Sequence, residues 1–261
     1  MKKAMRVLLA GFLACAALCG CGKETSGRTP VTLYEVAHSI FYAPQYAAIE
    51  LGYFQEEGID LTLVNGAGAD KVMTAMLAGD ADIGFMGSEA SIYIYVQGAE
   101  DYAVNFAQLT QRAGNFLVAR QPDPDFTWQK LKGSRVLGGR AGGMPQMVFE
   151  YILKKQGIDP EKDLEINQSI DFGSTAAAFS GGQADYTIEF EPSATALEAE
   201  NSGYVVASLG VDSGYVPYTA YSAKTSYLNA NPNIIQKFTN ALQKGMDFVQ
   251  SHTPEEIAKV I

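Results

Sequence analysis

Seventeen residues of this chain occur twice in related form, and that duplication restricts the fold more than any other feature. MTAMLAGDADIGFMGSE at 73–89 aligns without a gap against AAAFSGGQADYTIEFEP at 176–192. Gly79 falls on Gly182, and Ala81-Asp82 falls on Ala184-Asp185. The triplet Gly-Ile-Asp also recurs, at 58–60 and 157–159. The two offsets, 103 and 99 residues, differ by four, which the insertion Pro160-Glu161-Lys162-Asp163 in the later loop accounts for. Each copy reads as helix, strand, helix, strand and a loop that opens the next helix. Two such units predict two lobes of like topology. Ligands of open α/β sheets lie outside the carboxyl ends of the strands, so two facing lobes enclose a cleft there.

The remaining pattern is consistent with this frame. Thr32 to Val36, Asp60 to Asn65 and Ile83 to Met86 read as strands. Tyr42 to Leu51 reads as a helix, with Pro44 in its first turn and Gly52 past its end. Ala69 to Ala78 and a segment from Ala90 to Val96 read as further helices. Such alternation predicts a largely parallel sheet covered by helices. Ala103 to Gln108 and Asn115 to Arg120 read as strands around a polar stretch, where the chain first crosses between lobes. Tyr218 to Ala223 reads as the returning strand, and Asn233 to Val249 carries a strong helical period behind Pro232. The expected division is a lobe I of 31–111 and 218–261, a lobe II of 112–217, and a two-stranded hinge.

The start of the chain bears on compartment. Lys2, Lys3 and Arg6 precede an apolar run, Val7 to Leu18, too short to span a bilayer comfortably. Leu18-Cys19-Gly20-Cys21 resembles a bacterial lipobox, which implies a signal peptide over 1–20, lipidation of Cys21 and a polar tether over 21–30. The expected location is extracytoplasmic, anchored to the outer face of the cell membrane, or periplasmic. All three cysteines (Cys15, Cys19 and Cys21) sit in or at the end of this leader. Structural disulfides, Cys-ligated zinc and iron–sulfur clusters are therefore excluded from the body. Loss of the leader cations takes the formal charge from −10 to −13. So acidic a body is a poor partner for nucleic acid, which is bound by neutralising phosphates.

SIFYAPQYAAIELGYFQEEGIDLTL (39–63) followed by GADKVMTAMLAGDADIGFMG (68–87) resembles the ABC-transporter substrate-binding lipoproteins of the sulfonate/taurine/nitrate and thiamine-pyrimidine-precursor binding family. Tyr53-Phe54 leading to Gly58-Ile59-Asp60 matches one hallmark of that family, and Met76, Gly79, Ala81, Asp82, Ile83 and Gly84 match another, with Met in the usual Leu place. The resemblance implies a type II periplasmic-binding-protein fold of two similar α/β lobes around a ligand cleft. It also implies a monomer that delivers a small molecule to an ABC permease and its ATPase. Family members usually continue for another helix beyond the point where this chain stops, so a shortened end is expected.

Cleft residues are expected in the strand-to-helix loops. The first loop supplies His38, Phe41 and Tyr42; the two rings suit a flat ligand or, equally, the core. A metal role for His38 lacks a second ligand at suitable spacing. Gly66-Ala67-Gly68 lacks the third glycine of a dinucleotide fingerprint and reads as a tight turn. Ser88 and Glu89 either cap the next helix or touch the ligand. Arg140, Gly142, Gly143 and Met144 join a strand to a helix, where free amides would suit an anionic or carbonyl group. Asp171, Ser174, Glu189 and Glu191 come from the later loops, Ser174 or Thr175 as a helix cap, and Tyr186 and Phe190 are further ring partners. Carboxylates at Glu89, Asp171, Glu189 and Glu191 would repel a sulfonate, so a pyrimidine-like or other nitrogenous vitamin precursor is favoured over a simple anion. No cofactor or metal is implied.

Two other functions remain to be weighed. The fungal thiamine-pyrimidine synthases resemble this fold but carry a cysteine-rich motif that the body lacks, and no Gly-x-Ser-x-Gly or His-Glu-x-x-His occurs. A sensor that shows its bound state to a membrane receptor would use the same hinge and cleft.

Overall fold

The computed structural model describes residues 27–261; the leader and Cys21 lie outside the described residues. Two five-stranded sheets form the frame. The first contains β1 (Thr29–Glu35), β2 (Ile59–Asn65), β3 (Ile83–Gly87), β4 (Ala103–Thr110) and β10 (Thr219–Lys224), in the order β2-β1-β3-β10-β4. The second contains β5 (Asn115–Ala119), β6 (Arg135–Leu137), β7 (Glu165–Asn167), β8 (Tyr186–Phe190) and β9 (Tyr204–Ser208), in the order β7-β6-β8-β5-β9. The two orders are the same topology. Three strands run parallel, the fourth runs against them, and the fifth, antiparallel to the fourth, runs with the first three.

The sheets are therefore mixed, which corrects the expectation of largely parallel ones. The reason is connectivity. The fourth strand in each order, β10 or β5, enters from the other half of the molecule and runs against the parallel trio. The chain crosses between the halves at 110–115 and again at 208–219. These crossings lie together: Val216 N donates to Gln111 O at 3.0 Å, Tyr218 N to Thr110 O at 3.1 Å, and Arg112 Nη1 to Gly210 O at 2.9 Å.

The sequence repeat has a structural counterpart at the same offset. Residues 83–87 form β3, and 186–190 form β8. Gly79 and Gly182 end the preceding helices in the same left-handed conformation, both at φ 88°, which a Cβ disfavours. Ala81 and Ala184 are buried. Asp82 reaches back to the neighbouring strand, accepting from Thr32 N at 2.8 Å, while its own N–H donates to Thr32 O. Asp185 does the same with Arg135, accepting at 2.9 Å. Each aspartate thus ties the parallel strand to its neighbour before the ladder begins.

Separate cores fill the halves. Leu33, Phe54, Ile83, Phe85, Tyr221 and Phe238 lie in the first, and Leu117, Val136, Phe149, Ile152 and Ile188 in the second. The helix Pro232–Ser251 contributes Phe238, Ala241, Leu242 and Gly245. That helical spacing presents a single stripe to the helix Ala43–Glu50 and to the sheet.

Candidate functional site

A cavity of about 580 Å³ lies between the halves. Its walls come from the loops after β1, β2 and β3 on one side and after β6, β7 and β8 on the other. These are the carboxyl ends of all six parallel strands, where open α/β sheets place ligands. Two helices of the first half complete it. Ala69–Ala78 presents Ala69, Asp70, Met73, Thr74 and Leu77, and Glu89–Val96 presents Glu89, Ala90, Tyr93 and Ile94, followed by Gln97. Both sets follow the spacing i, i+1, i+4, i+5, i+8, one face of a helix.

The charged lining is strongly unbalanced. Asp70, Glu89, Asp171, Glu189 and Glu191 line the space against one guanidinium, Arg140, and the imidazole of His38. Arg140 is already paired: Nη1 lies 2.7 Å from Asp171 Oδ1 and Nη2 lies 3.0 Å from Asp70 Oδ2. Because Asp70 belongs to the opposite half, this guanidinium also bridges the cleft.

Glu89 is almost fully buried, at 4% exposure, and burial pushes its carboxyl up to about 7. Oε1 accepts the Met144 N–H at 3.0 Å, across the cleft, at the start of the helix Met144–Lys155. Oε2 has no hydrogen-bond partner. The carboxylate folds over Gly87, where a Cβ would meet both of its oxygens. The nearby Tyr218 hydroxyl is buried and unpartnered too, and burial, with Tyr42 and Glu89 beside it, drives its ionisation well above the usual phenol range. On the other wall Glu189 is 2% exposed, and burial raises it to about 7. Its two oxygens accept from the hydroxyls of Thr187 (2.7 Å) and Thr175 (3.1 Å).

His38 is set by a residue that the sequence did not single out. Glu35, buried at the end of β1, accepts from His38 Nδ1 at 2.8 Å, Gln45 Nε2 at 2.8 Å and the Tyr46 hydroxyl at 2.9 Å. With the proton on Nδ1, the neutral imidazole has its acceptor at Nε2. Position 35 carried one signal, an acid inside an otherwise strand-like run. Asp70, Tyr218 and Thr219 also line the cavity without having been singled out.

Of the residues proposed from sequence, His38, Tyr42, Glu89, Arg140, Gly142, Gly143, Met144, Asp171, Glu189 and Glu191 line this cavity, as does Phe190. Four others do not. Phe41 packs against both cores, 5.9 Å from Phe190 and 5.9 Å from Tyr218 between ring centres, and wedges the halves together. Ser88 precedes its helix but forms no side-chain cap, because its hydroxyl donates to Pro217 O at 2.6 Å. Ser174 is exposed and also caps nothing; Thr175, the other residue considered for a cap, turns its hydroxyl to Phe172 O and Glu189. Tyr186 begins β8 and packs on Phe126, at the strand end remote from the cleft.

The Arg140–Met144 loop also departs from expectation, since three of its amides are already engaged. Gly142 N donates to Gln146 Oε1, Gly143 N to Arg140 O, and Met144 N to Glu89. The protein's own carboxylate occupies the helix start that an anionic ligand would use. Among the described residues, no group of three or more His, Cys, Asp or Glu side chains converges as a metal site, and no helix is long and apolar enough to cross a membrane.

Two matched α/β halves, joined by two crossings and closed over an acidic cavity at their strand ends, define a type II periplasmic-binding-protein fold. Solved structures of this fold include the aliphatic sulphonate binding protein SsuA from Escherichia coli, at TM-score 0.68 and 17% identity, over 85% of this chain and 74% of that one. The nitrate-binding protein NrtA from Synechocystis PCC 6803 aligns at TM-score 0.74 and 17% identity, over 89% of this chain and 65% of that one. Residues 40–257 match the family described as NMT1/THI5 like, and the chain belongs to that family. A Bacillus subtilis (strain 168) protein named as a binding protein, YtlA, is 48% identical over 245 residues, 94% of this chain and 73% of the relative. The chain is a binding protein of this family, not an enzyme.

Proposed function

We propose that this protein captures a nitrogenous small molecule outside the cytoplasm and delivers it to an ABC importer. The favoured ligand is pyrimidine-like or another nitrogen-bearing vitamin precursor. The observation that carries the ligand class is the state of the two groups that would attract an anion. Arg140 is neutralised by Asp70 and Asp171, and the start of the helix Met144–Lys155 is filled by Glu89. The other ionisable groups of the lining near this wall are acidic, Glu89, Glu189 and Glu191. A sulfonate or nitrate there would meet desolvated like charge, whereas ring N–H and amino groups complement it. Tyr42, Phe172 and Phe190 supply apolar faces for a ring.

Import is supported by kinship with binding proteins and by a cleft whose closure buries the ligand. Structures of the same fold include a ligand-binding component of an ABC-type import system from Staphylococcus aureus. A permease that prefers the closed form turns ligand binding into a signal for transport. The leader resembles that of a lipoprotein, so Cys21 is assigned as the acylated residue that holds the protein at the membrane. Mass spectrometry of the protein purified under native conditions, with a thermal-shift screen of pyrimidines, small amines and alkanesulfonates, tests the ligand class. A hit restricted to sulfonates refutes it. In fractionated cells, Cys21→Ser is expected to move the protein from membrane to soluble fraction; unchanged partition refutes the anchor.

A further inference from the structure

We propose that Glu89 is a proton-gated latch between the halves: protonated, it stays buried against the start of the helix Met144–Lys155 and holds the cleft closed; ionised, it is drawn back to water and the halves part. This goes beyond the import reading above, because it concerns how the cleft opens and not which solute it takes.

The latch is a bond between halves. Glu89 begins a helix of the first half, yet its Oε1 accepts the Met144 N–H of the second half at 3.0 Å. That bond lasts only while the cleft is shut. Asp70 also bridges the cleft, to Arg140, but its side chain is well exposed, whereas Glu89 is closed off from water. The remaining bridges, Ser39 Oγ to Glu191 O and the Tyr93 hydroxyl to Met147 Sδ, involve no carboxyl.

Closure also leaves Glu89 little to hold a negative charge. Oε2 is buried without a hydrogen-bond partner, and the carboxyl's bonds come from backbone N–H groups alone. The titratable groups that face it are phenols, Tyr42 from the turn after β1 and Tyr218 just before β10, and burial keeps both neutral. The cations of the cavity are engaged elsewhere: Arg140 with Asp70 and Asp171, and His38 with Glu35. The helix start and the Met144 N–H favour the ionised form, but desolvation outweighs them and raises the carboxyl from 4.5 to about 7. In parted halves water reaches both oxygens and the ordinary affinity returns. Closure therefore takes up a proton between those two values, and its advantage is lost as pH rises through 7. For a return to 4.5 on opening, the closed form is favoured about 25-fold more at pH 5.5 than at pH 8. A solute that requires the closed cleft is then gripped in acid and loosened above neutrality.

Small-angle scattering of the ligand-free protein at pH 5.5 and pH 8 tests the latch, with circular dichroism to verify that the fold persists at both. The radius of gyration is expected to be larger at pH 8, and the protection factor of the Met144 amide in hydrogen exchange to be lower there. Both readings need no variant. Glu89→Gln keeps an acceptor for Met144 N and removes the titration, so it should stay compact at both pH values. Glu189→Gln should keep the shift, because the bonds of Glu189 go to Thr187 and Thr175 in its own half. A radius and a Met144 protection factor that do not change with pH overturn the proposal. So does a shift that survives in Glu89→Gln, or one that disappears in Glu189→Gln.

Discussion

Glu89 and Glu189 are carboxyls that folding takes out of water, and their proton affinity becomes a property of the whole protein. Burial raises each from an ordinary 4.5 to about 7. Between those values the folded state holds protons that the unfolded chain has released. Stability is then greatest below about pH 4.5 as far as these two groups are concerned, and falls as pH rises through 7. Each contributes on the order of 3 kcal/mol to that fall. Thermal melts of the ligand-free protein should show a lower midpoint at pH 8 than at pH 5.5. Glu89→Gln and Glu189→Gln should each flatten the curve and raise stability at pH 8. A midpoint that does not fall over this range would show that the two carboxyls are not held protonated by the fold.

Among the elements, the parallel strands β3 and β8 show how a local motif acts. The Gly-x-Ala-Asp of the first repeat and its counterpart in the second turn the chain and fasten the new strand to β1 or β6. The two aspartates differ in setting. Asp82 bonds to Thr32 N in a half-buried place, whereas Asp185 bonds to Arg135 N at an exposed edge. Asp82→Ala should therefore cost about 1–3 kcal/mol in denaturant unfolding, because water reaches the orphaned N–H poorly. Asp185→Ala should cost less, since water takes the place of its carboxylate. Equal losses would mean that exposure does not govern these bonds.

For the whole molecule, closure depends on contacts that span the cleft. Arg140 with Asp70, Glu89 with Met144 N, and Ser39 Oγ with Glu191 O (3.0 Å) join opposite walls. Phe41 adds an apolar wedge, its ring lying against Gly114 in the first crossing and against Phe190 beyond it. Removing that ring leaves both halves folded around their own cores but loosens their union. Phe41→Ala should enlarge the radius of gyration in small-angle scattering without ligand and weaken ligand binding several-fold. It should cost about 2 kcal/mol in stability, less than a fully buried Phe→Ala, because the ring is only half-buried. An unchanged radius with normal binding would remove Phe41 from the hinge.

Local pattern alone made the helix and strand order readable, because side-chain periods of two and 3.6 and left-handed glycines are written in neighbouring residues. It also exposed the internal repeat, whose offset of 103 residues returns as matching strands, turns and aspartate ties. Glu89 and Glu189 were visible because they stand where strands end. The tertiary structure alone decided what those groups are free to do. Arg140 looked like an anion site until Asp70, seventy residues away, and Asp171 closed on it. Phe41, a ring partner by its loop, became a wedge between cores; Tyr218 and Glu35 acquired meaning only from burial. Charge, desolvation and hydrogen-bond satisfaction depend on which distant groups meet, and one-dimensional periodicity carries no record of that.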